Sequence, residues 1–478
     1  MKKLHIGLII VFSLLLLASI AWGFLWFYAE KDTVPEGVTA GGIAIGGMKV
    51  EEAIQILDEY ENRLEQRSVK VTANAETADS KQWTVADIGY KAAFVDVREA
   101  LVKLREGNLI ERAKYRYRFP LTYELAQSFD RAAFETLVRK QWGWIDNSET
   151  KDATRTITDK DEIKYTTHTD AYRIDVPALA GEVAQWIIVP EEKLGDRSGL
   201  AEMLDAELPV ATVHPEVTLE KLKDEGIERK IFEFTTDFNT SAAGRAHNVT
   251  AAAKALNERH LAPDEIFSYG KVIALAEEKY GFKEAPVIQN GKIVPGIGGG
   301  ICQVSSTLYN AILRTGLEIV ERRNHSIPSS YVNKGQDATF ASGAIDFRFR
   351  NSTGKHLIIR TVVENRKLTV KLFGTMPENV KYDIESVTVK ELAPKVQEVT
   401  DKSLEPGQKV VVQEGRSGYI VETFRTLFRD GEKVSRERVS RDTYRAEATI
   451  IHVGPGSGAP EKTPNPDPSE SIVEDGVG

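Results

Sequence analysis

The chain has 478 residues, of which 41% are hydrophobic and 28% charged, with a net charge of −9. That balance excludes a wholly disordered polymer, and the length exceeds one ordinary core, so three folded units with flanking segments are expected. The mild acidity serves solubility, and with no basic patch of useful length, nucleic acid is excluded as a partner.

Lys2 and Lys3 precede a run from Ile6 to Tyr28 that carries no charge. A helix crosses a bilayer core in about 20 apolar residues. Trp22, Trp26 and Tyr28 gather at the far end, where interfacial aromatics sit. The lysines favour an inside N-terminus, so residues 6–28 predict a single-pass anchor with the rest of the chain on the extracytoplasmic side. A cleaved signal peptide, with Ser19-Ile20-Ala21 as a weak cleavage site, is the alternative. Both readings export the remainder.

After a Gly-rich stretch at Gly41–Gly47, Val50, Ala53, Ile54 and Leu57 recur on one helical face and predict a helix over 49–67. Val69–Thr72 alternates as a strand does, with Trp83–Val85 and Ala93–Val95 similar. A helix is expected from Phe129-Asp130 to Gln141, strands at Arg155–Thr158 and Tyr172–Val176, and a helix over Val176–Trp186. The carboxylates here are scattered and no metal-ligand spacing occurs, so neither a metal nor another cofactor is predicted.

From about 231 to 375 the texture changes to polar residues punctuated by glycines. Asn248 suits a cap for a helix over 249–260, broken by Pro263-Asp264. The loop Gly291–Gly300 leads into Cys302, and Val304, Leu308, Ala311 and Ile312 predict a helix over 303–314, stopped by Gly316. Strands follow at Ile345–Phe349, His356–Val363 and Leu368–Phe373, with a turn at Asn365-Arg366-Lys367. From 380 to 454 the chain alternates as an all-β module, with Asp430-Gly431 a hairpin turn. Residues from Gly454 onward are rich in Pro, Gly and acid and predict a disordered tail.

Cys302 is the chain's single cysteine, so no internal disulfide forms. It reads either as a small buried hydrophobe or as a nucleophile at a helix N-terminus, where free N–H groups and the dipole lower a thiol pKa. His325 is the preferred base, with His247, His260 and His356 as alternatives, and Asp337 or Asp346 would orient the imidazole. Gly298, Gly299 and Gly300 would admit a substrate to the backbone, Gln303 would donate to an oxyanion, and Ser305 belongs to the same substrate loop.

Three motifs carry a resemblance: Gly281–Ile288, the run PGIGGGICQVSSTLYNA from Pro295 to Ala311, and Glu321–Ser326. With Arg245, Asn248 and Phe267-Ser268 upstream, they resemble the VanW domain, named for a member of vancomycin-resistance clusters. Asp264 departs from the glycine usual in the family's Pro-Gly-Glu turn. Leu404-Glu405-Pro406-Gly407 with Gly415, Gly418, Gly431 and Gly454 is similar to the five-glycine (G5) domain of cell-wall proteins. Asp152-Ala153 and Tyr172–Asp175 resemble a peptidoglycan-binding domain often found before VanW.

The resemblance implies a multidomain α+β envelope protein: membrane anchor 1–30, α+β wall-binding region 31–230, VanW-like α+β domain 231–378, an elongated β-rich five-glycine module 379–454 and tail 455–478. Its partner would be peptidoglycan or another wall glycan. The two functional readings are a wall-binding protein and a cysteine-dependent peptidoglycan hydrolase or transpeptidase.

Overall fold

The computed structural model describes residues 2–74, 79–194, 201–289, 291–456 and 473–477. Contacts divide the chain into two units, 1–152 with 168–216, and 153–167 with 217–478. The architecture is multidomain α+β with a strand-rich C-terminal module.

The first unit opens with the helix Lys2–Ala29, whose large apolar side chains are exposed. It is the one helix among the described residues long and apolar enough to cross a membrane, as an anchor or as a signal sequence. The helix Val50–Glu65 buries Val50, Ala53, Leu57, Tyr60 and Leu64. The spacing of these residues makes one apolar stripe. The neighbouring sheet runs in the order Met203–Glu207, Ser68–Ala73, Asp79–Thr84. Val95 begins a helix, Val95–Lys103, where a strand end was predicted. Trp142, Phe134 and Val138 from the helix Arg131–Trp142 join Val176, Leu179, Val183 and Ile187 from the helix Val176–Ile187 in one core. Asp130 and Asp175 cap these two helices through Ala133 N and Ala178 N.

The second unit takes in 153–167, a stretch assigned by sequence to the upstream region. Thr154–Ile157 pairs with Ile163–Thr166, and Ile157 and Ile163 pack on Ile227, Ile358 and Phe373. Asp161 accepts hydrogen bonds from Lys230 Nζ (2.7 Å) and Lys371 Nζ (2.8 Å), which ties the hairpin tip to the main sheet. That sheet is antiparallel, in the order Arg229–Asp237, Lys367–Gly374, Leu357–Glu364, Arg259–Leu261. Asn365 and Arg366 both take positive φ in the tight turn between its two central strands.

Two helices pack on this sheet, Ala243–Leu256 and Ile301–Leu313. Asn248 lies inside the first and does not cap it. Its amide instead bonds Lys283 O, Gly299 O and Lys283 N, fixing the glycine loop against the helix. The strand expected at Ile345–Phe349 is confined to Arg348–Arg350, because the Asp346 carboxylate takes Ser268 Oγ (2.6 Å) and Gly270 N (2.8 Å) at the start of the helix Tyr269–Tyr280.

The C-terminal module is built from long strands, Val380–Leu392, Gly418–Arg429 and Glu432–Tyr444 in one sheet and Val396–Thr400, Thr449–Val453 and Lys409–Gln413 in a second. Asp430 and Gly431 both have positive φ, as the hairpin requires. Gly454 has no room for a side chain, since a Cβ would collide with the Glu405 carbonyl, whereas Gly407 has open space but a φ of +85°. Gly454→Ala should therefore cost about 1–3 kcal/mol of stability through overpacking, and Gly407→Ala about 1 kcal/mol through backbone conformation. Urea midpoints of the two variants would test the ranking, and equal midpoints would contradict it.

The expected disorder of 455–478 is corrected at its far end. Residues 457–472 and 478 lie outside the described set, but Val473–Glu474 forms a strand against Glu284–Gln289, pairing with Gln289 and Ile288. Strand addition satisfies backbone groups that composition alone leaves to solvent.

Candidate functional site

The site helix, Ile301–Leu313, is buried at every residue. Most of its polar side chains are satisfied internally, while the buried Tyr309 hydroxyl has no hydrogen-bond partner among the described residues. Ser305 Oγ donates to Ala338 O (2.6 Å), Asn310 Nδ2 to Ser306 O and Gln336 O, and Thr307 Oγ1 to Gln303 O. Gln303 Nε2 donates to Thr236 Oγ1 and Asp237 O at 3.0 Å each, while its Oε1 accepts from Arg245 Nη1 at 2.9 Å. Ser305 and Gln303 thus hold the helix in place, which corrects the expectation that Gln303 donates to an oxyanion.

The glycine loop supplies a start that needs no side chain. Gly298 and Gly300 have φ of +88° and +106°, and Gly300 is the helix N-cap residue. Without a capping side chain the first N–H groups are left for another acceptor. That acceptor is Asp475, whose Oδ1 takes Cys302 N at 2.6 Å.

Cys302 is wholly buried, and its Sγ sits against Phe340, accepting from Phe340 N at 3.1 Å and lying 3.4 Å from Phe340 O. Burial first, and then the Asp475 charge, push its thiol pKa well above the ordinary value. This reverses the expected lowering by the helix N-terminus, since burial disfavours the thiolate and the carboxylate already held there opposes a second negative charge.

His325 and Asp337, each 1% exposed, are brought together. Asp337 Oδ2 lies 2.6 Å from His325 Nδ1 and also accepts His325 N at 2.7 Å. A carboxylate only accepts, so Nδ1 carries the proton of this bond. Nε2 is buried and, among the described residues, has no hydrogen-bond partner. Burial opposes charge on His325, but the bond to Asp337 and that carboxylate's charge outweigh it and raise the imidazole pKa. Burial would raise the Asp337 pKa, but the His325 bond and the His325 and Arg322 charges hold it well below the usual carboxylate range.

Arg322 Nη1 bonds both oxygens of Asp442 at 2.6 Å, its Nε donates to Asp337 O at 2.6 Å, and Tyr444 OH donates to Asp337 Oδ1 at 2.5 Å. The C-terminal module thereby orients the acid behind His325.

The other candidates lie elsewhere. Asp346 serves the helix start at Ser268 and Gly270, and His247 Nε2 is 3.0 Å from Gly281 O. The His260 and His356 rings lie tilted against each other with centroids 4.8 Å apart.

A cleft of about 870 Å³ opens beside the site, lined by Arg245, Gln303, His325, Tyr331, Arg416 and Asp475 among others. Asp475 was not a sequence candidate, since two acids in a short β-branched stretch give no periodic signal. Two trios could hold a metal ion, His168 with Asp170 and His214 in the first unit, and Glu225 with His260 and His356 in the second. In each, the ligand atoms lie within 4.8 Å of one another. Linear spacing gives only the His168-Thr169-Asp170 pair of the first, and the other ligands come from distant segments. Arg155 Nη1, 2.5 Å from Glu225 Oε2, competes with a cation at the second.

A family profile described as VanW like protein matches residues 244–373, and one described as G5 domain matches residues 384–456. The chain carries both domains. It is 37% identical over 169 residues to the uncharacterized protein YoaR of Bacillus subtilis (strain 168), covering 35% of this chain and 55% of that protein. It is 32% identical over 145 residues to the vancomycin B-type resistance protein VanW of Enterococcus faecalis (strain ATCC 700802 / V583), covering 29% and 53%. The chain thus spans about half the length of the curated relatives it matches. Among solved structures, the G5 domain of an IgA1 protease aligns at 28% identity over 18% of this chain and 96% of that one, with a TM-score of 0.14.

Proposed function

We propose that this chain, with its VanW and G5 domains, is an envelope protein whose VanW domain performs thiol acyl transfer on cell-wall peptides. The helix Lys2–Ala29 would hold it at the membrane with its bulk on the wall side. The G5 domain, and the α+β region upstream of the VanW domain, would engage peptidoglycan or another wall glycan.

The observation that carries the reading is the His325–Asp337 pair at 2.6 Å with its buried, unpartnered Nε2, on a cleft also lined by Gln303 and Asp475, the chain neighbour and the backbone partner of the single cysteine. Burying an imidazole nitrogen without a partner costs about 1–3 kcal/mol, and a nitrogen kept free to take a proton gives that cost a use. In the proposed reaction the Cys302 S–H proton passes to His325 Nε2, and sulfur bonds to the peptide carbonyl carbon. The C–N bond then breaks, and the departing amine takes the proton back from His325. Water or a second amine resolves the thioester, giving hydrolysis or transpeptidation. Asp337 holds the imidazole tautomer, and the N–H groups of Gly300 and Cys302, which face the Asp475 carboxylate here, would receive the oxyanion.

The test is to incubate the full chain in detergent with purified peptidoglycan and resolve the muropeptides by mass spectrometry. Because Asp475 sits on the site, a chain lacking 457–478 is run beside the wild type, each with and without Cys302→Ala. A changed muropeptide pattern that disappears with Cys302→Ala is expected. No change in any chain, with all of them sedimenting with the wall, would leave a wall-binding protein in which Cys302 is structural.

A further inference from the structure

The segment 473–477 behaves as a bound peptide. Val473 and Glu474 add a strand to Glu284–Gln289, the mode by which extended peptides dock on a sheet edge. The Glu474 carboxylate takes Ser326 N at 2.9 Å and Ser326 Oγ at 3.0 Å, beside His325. Asp475 N donates to Phe340 O at 3.2 Å, and Val477 N to Ile297 O at 2.9 Å. A Cβ on Gly298 would lie 3.1 Å from Val477 N, and one on Gly476 would lie 2.8 Å from Val287 Cγ1. The glycine loop is therefore shaped to another backbone. Asp475, 7% exposed, fills the gap left by a helix N-cap with no side chain.

Two features beside the strand addition support a ligand site and more than a cap. His325 Nε2 is buried without a partner at the same cleft, and the Arg245 and His325 charges act on the Asp475 carboxylate. No described ion pair within salt-bridge distance compensates that carboxylate, so its burial is costly for a residue with only a structural part to play. Burial accordingly raises its pKa, the His325 and Arg245 charges offsetting this only in part.

We propose that residues 473–477 are an internal ligand of the VanW cleft: they occupy the place of an extended peptide bearing a carboxylate and keep Cys302 closed until they leave. The regulatory meaning of this occupancy rests on the thiol reading above; the occupancy itself does not.

The single cysteine makes the test direct. The full chain in detergent, a chain lacking 457–478 and the full-length Asp475→Asn variant are alkylated with iodoacetamide under native conditions. The synthetic peptide of residues 471–478 is then added to the shortened chain. If the closed form holds nine-tenths or more of the molecules, removing the segment should speed labelling about tenfold or more. The added peptide should slow labelling again, and its Asp475→Asn version should do so less.

Wild-type labelling rates in a shortened chain with an unchanged unfolding midpoint would overturn the proposal. Should the shortened chain not fold, full-length Asp475→Asn decides, and wild-type labelling in that isosteric variant is the overturning result. A labelling rate that falls as wild-type protein concentration rises would make the occupant a second copy, also against an internal ligand. Fast labelling with unchanged muropeptides would sustain the occupancy and remove the enzyme reading. Active wild type with slow-labelling variants would do the reverse.

Discussion

Asp337→Ala should lower the stability of the second unit by about 3–5 kcal/mol, the usual cost of removing one member of a buried ion pair. Arg322 and His325 would keep their positions, 4% and 1% side-chain exposed, with no carboxylate between them. The Tyr444 hydroxyl and His325 N–H would lose their acceptor as well. Asp337→Asn preserves shape and one acceptor oxygen, and should cost less.

The same cluster sets a pH dependence. His325 has a raised pKa, so its contribution is complete below the unfolded imidazole value of about 6.5 and is lost as pH rises through the folded value. Asp337 has a depressed pKa, so its contribution is present above about 3.9 and is lost as pH falls through the folded value. The two titrate as a coupled pair in the field of Arg322, Tyr444, Asp442, Glu474 and Asp475. Thermal unfolding of the full chain should therefore be latest in the mildly acidic range, and Asp337→Asn should shrink the loss on the alkaline side, leaving the part that the raised Asp475 and Cys302 contribute. An alkaline limb identical in the two proteins would refute this assignment.

What the sequence disclosed of the fold and site follows from the range of each signal. The helix Val50–Glu65 and the Asp430-Gly431 hairpin rest on neighbours along the chain, and both formed where expected. Cys302, His325 and Asp337 could be named because their residue types are scarce or chemically specific, and His325 and Asp337 do meet. Asn248 deceived because capping chemistry and loop-pinning chemistry use the same amide. Asp346 deceived in the same way, its carboxylate serving a helix start.

The strand expected at Arg155–Thr158 was assigned to the upstream region by proximity in sequence, and it forms a hairpin, Thr154–Ile157 with Ile163–Thr166. Its two isoleucines and Asp161 answer instead to partners beyond residue 226. The raised thiol pKa was beyond reach for the same reason. It depends first on burial and then on Asp475, separated from Cys302 by 173 positions and brought to it by strand addition.

In a chain lacking 457–478, His325→Asn should slow the proposed wall-peptide reaction by about 10²–10⁴-fold, the range for loss of a positioned general base. Asp337→Asn should approach the upper end, because an amide in place of the carboxylate no longer fixes which ring nitrogen carries the proton. Rate loss alone would not separate a base from a packing residue at so buried a position, and the pH profile does. With Asp337 intact the imidazole pKa is raised, so the rate should climb with pH through that raised value as Nε2 becomes free to take the thiol proton. In Asp337→Asn the bond and charge that raise it are gone and burial dominates, so the ascending limb should move to lower pH while its plateau falls. A merely structural His325 would lower the plateau and leave the limb where it was, and that result, in protein with an unchanged circular dichroism spectrum, would remove His325 from the chemistry.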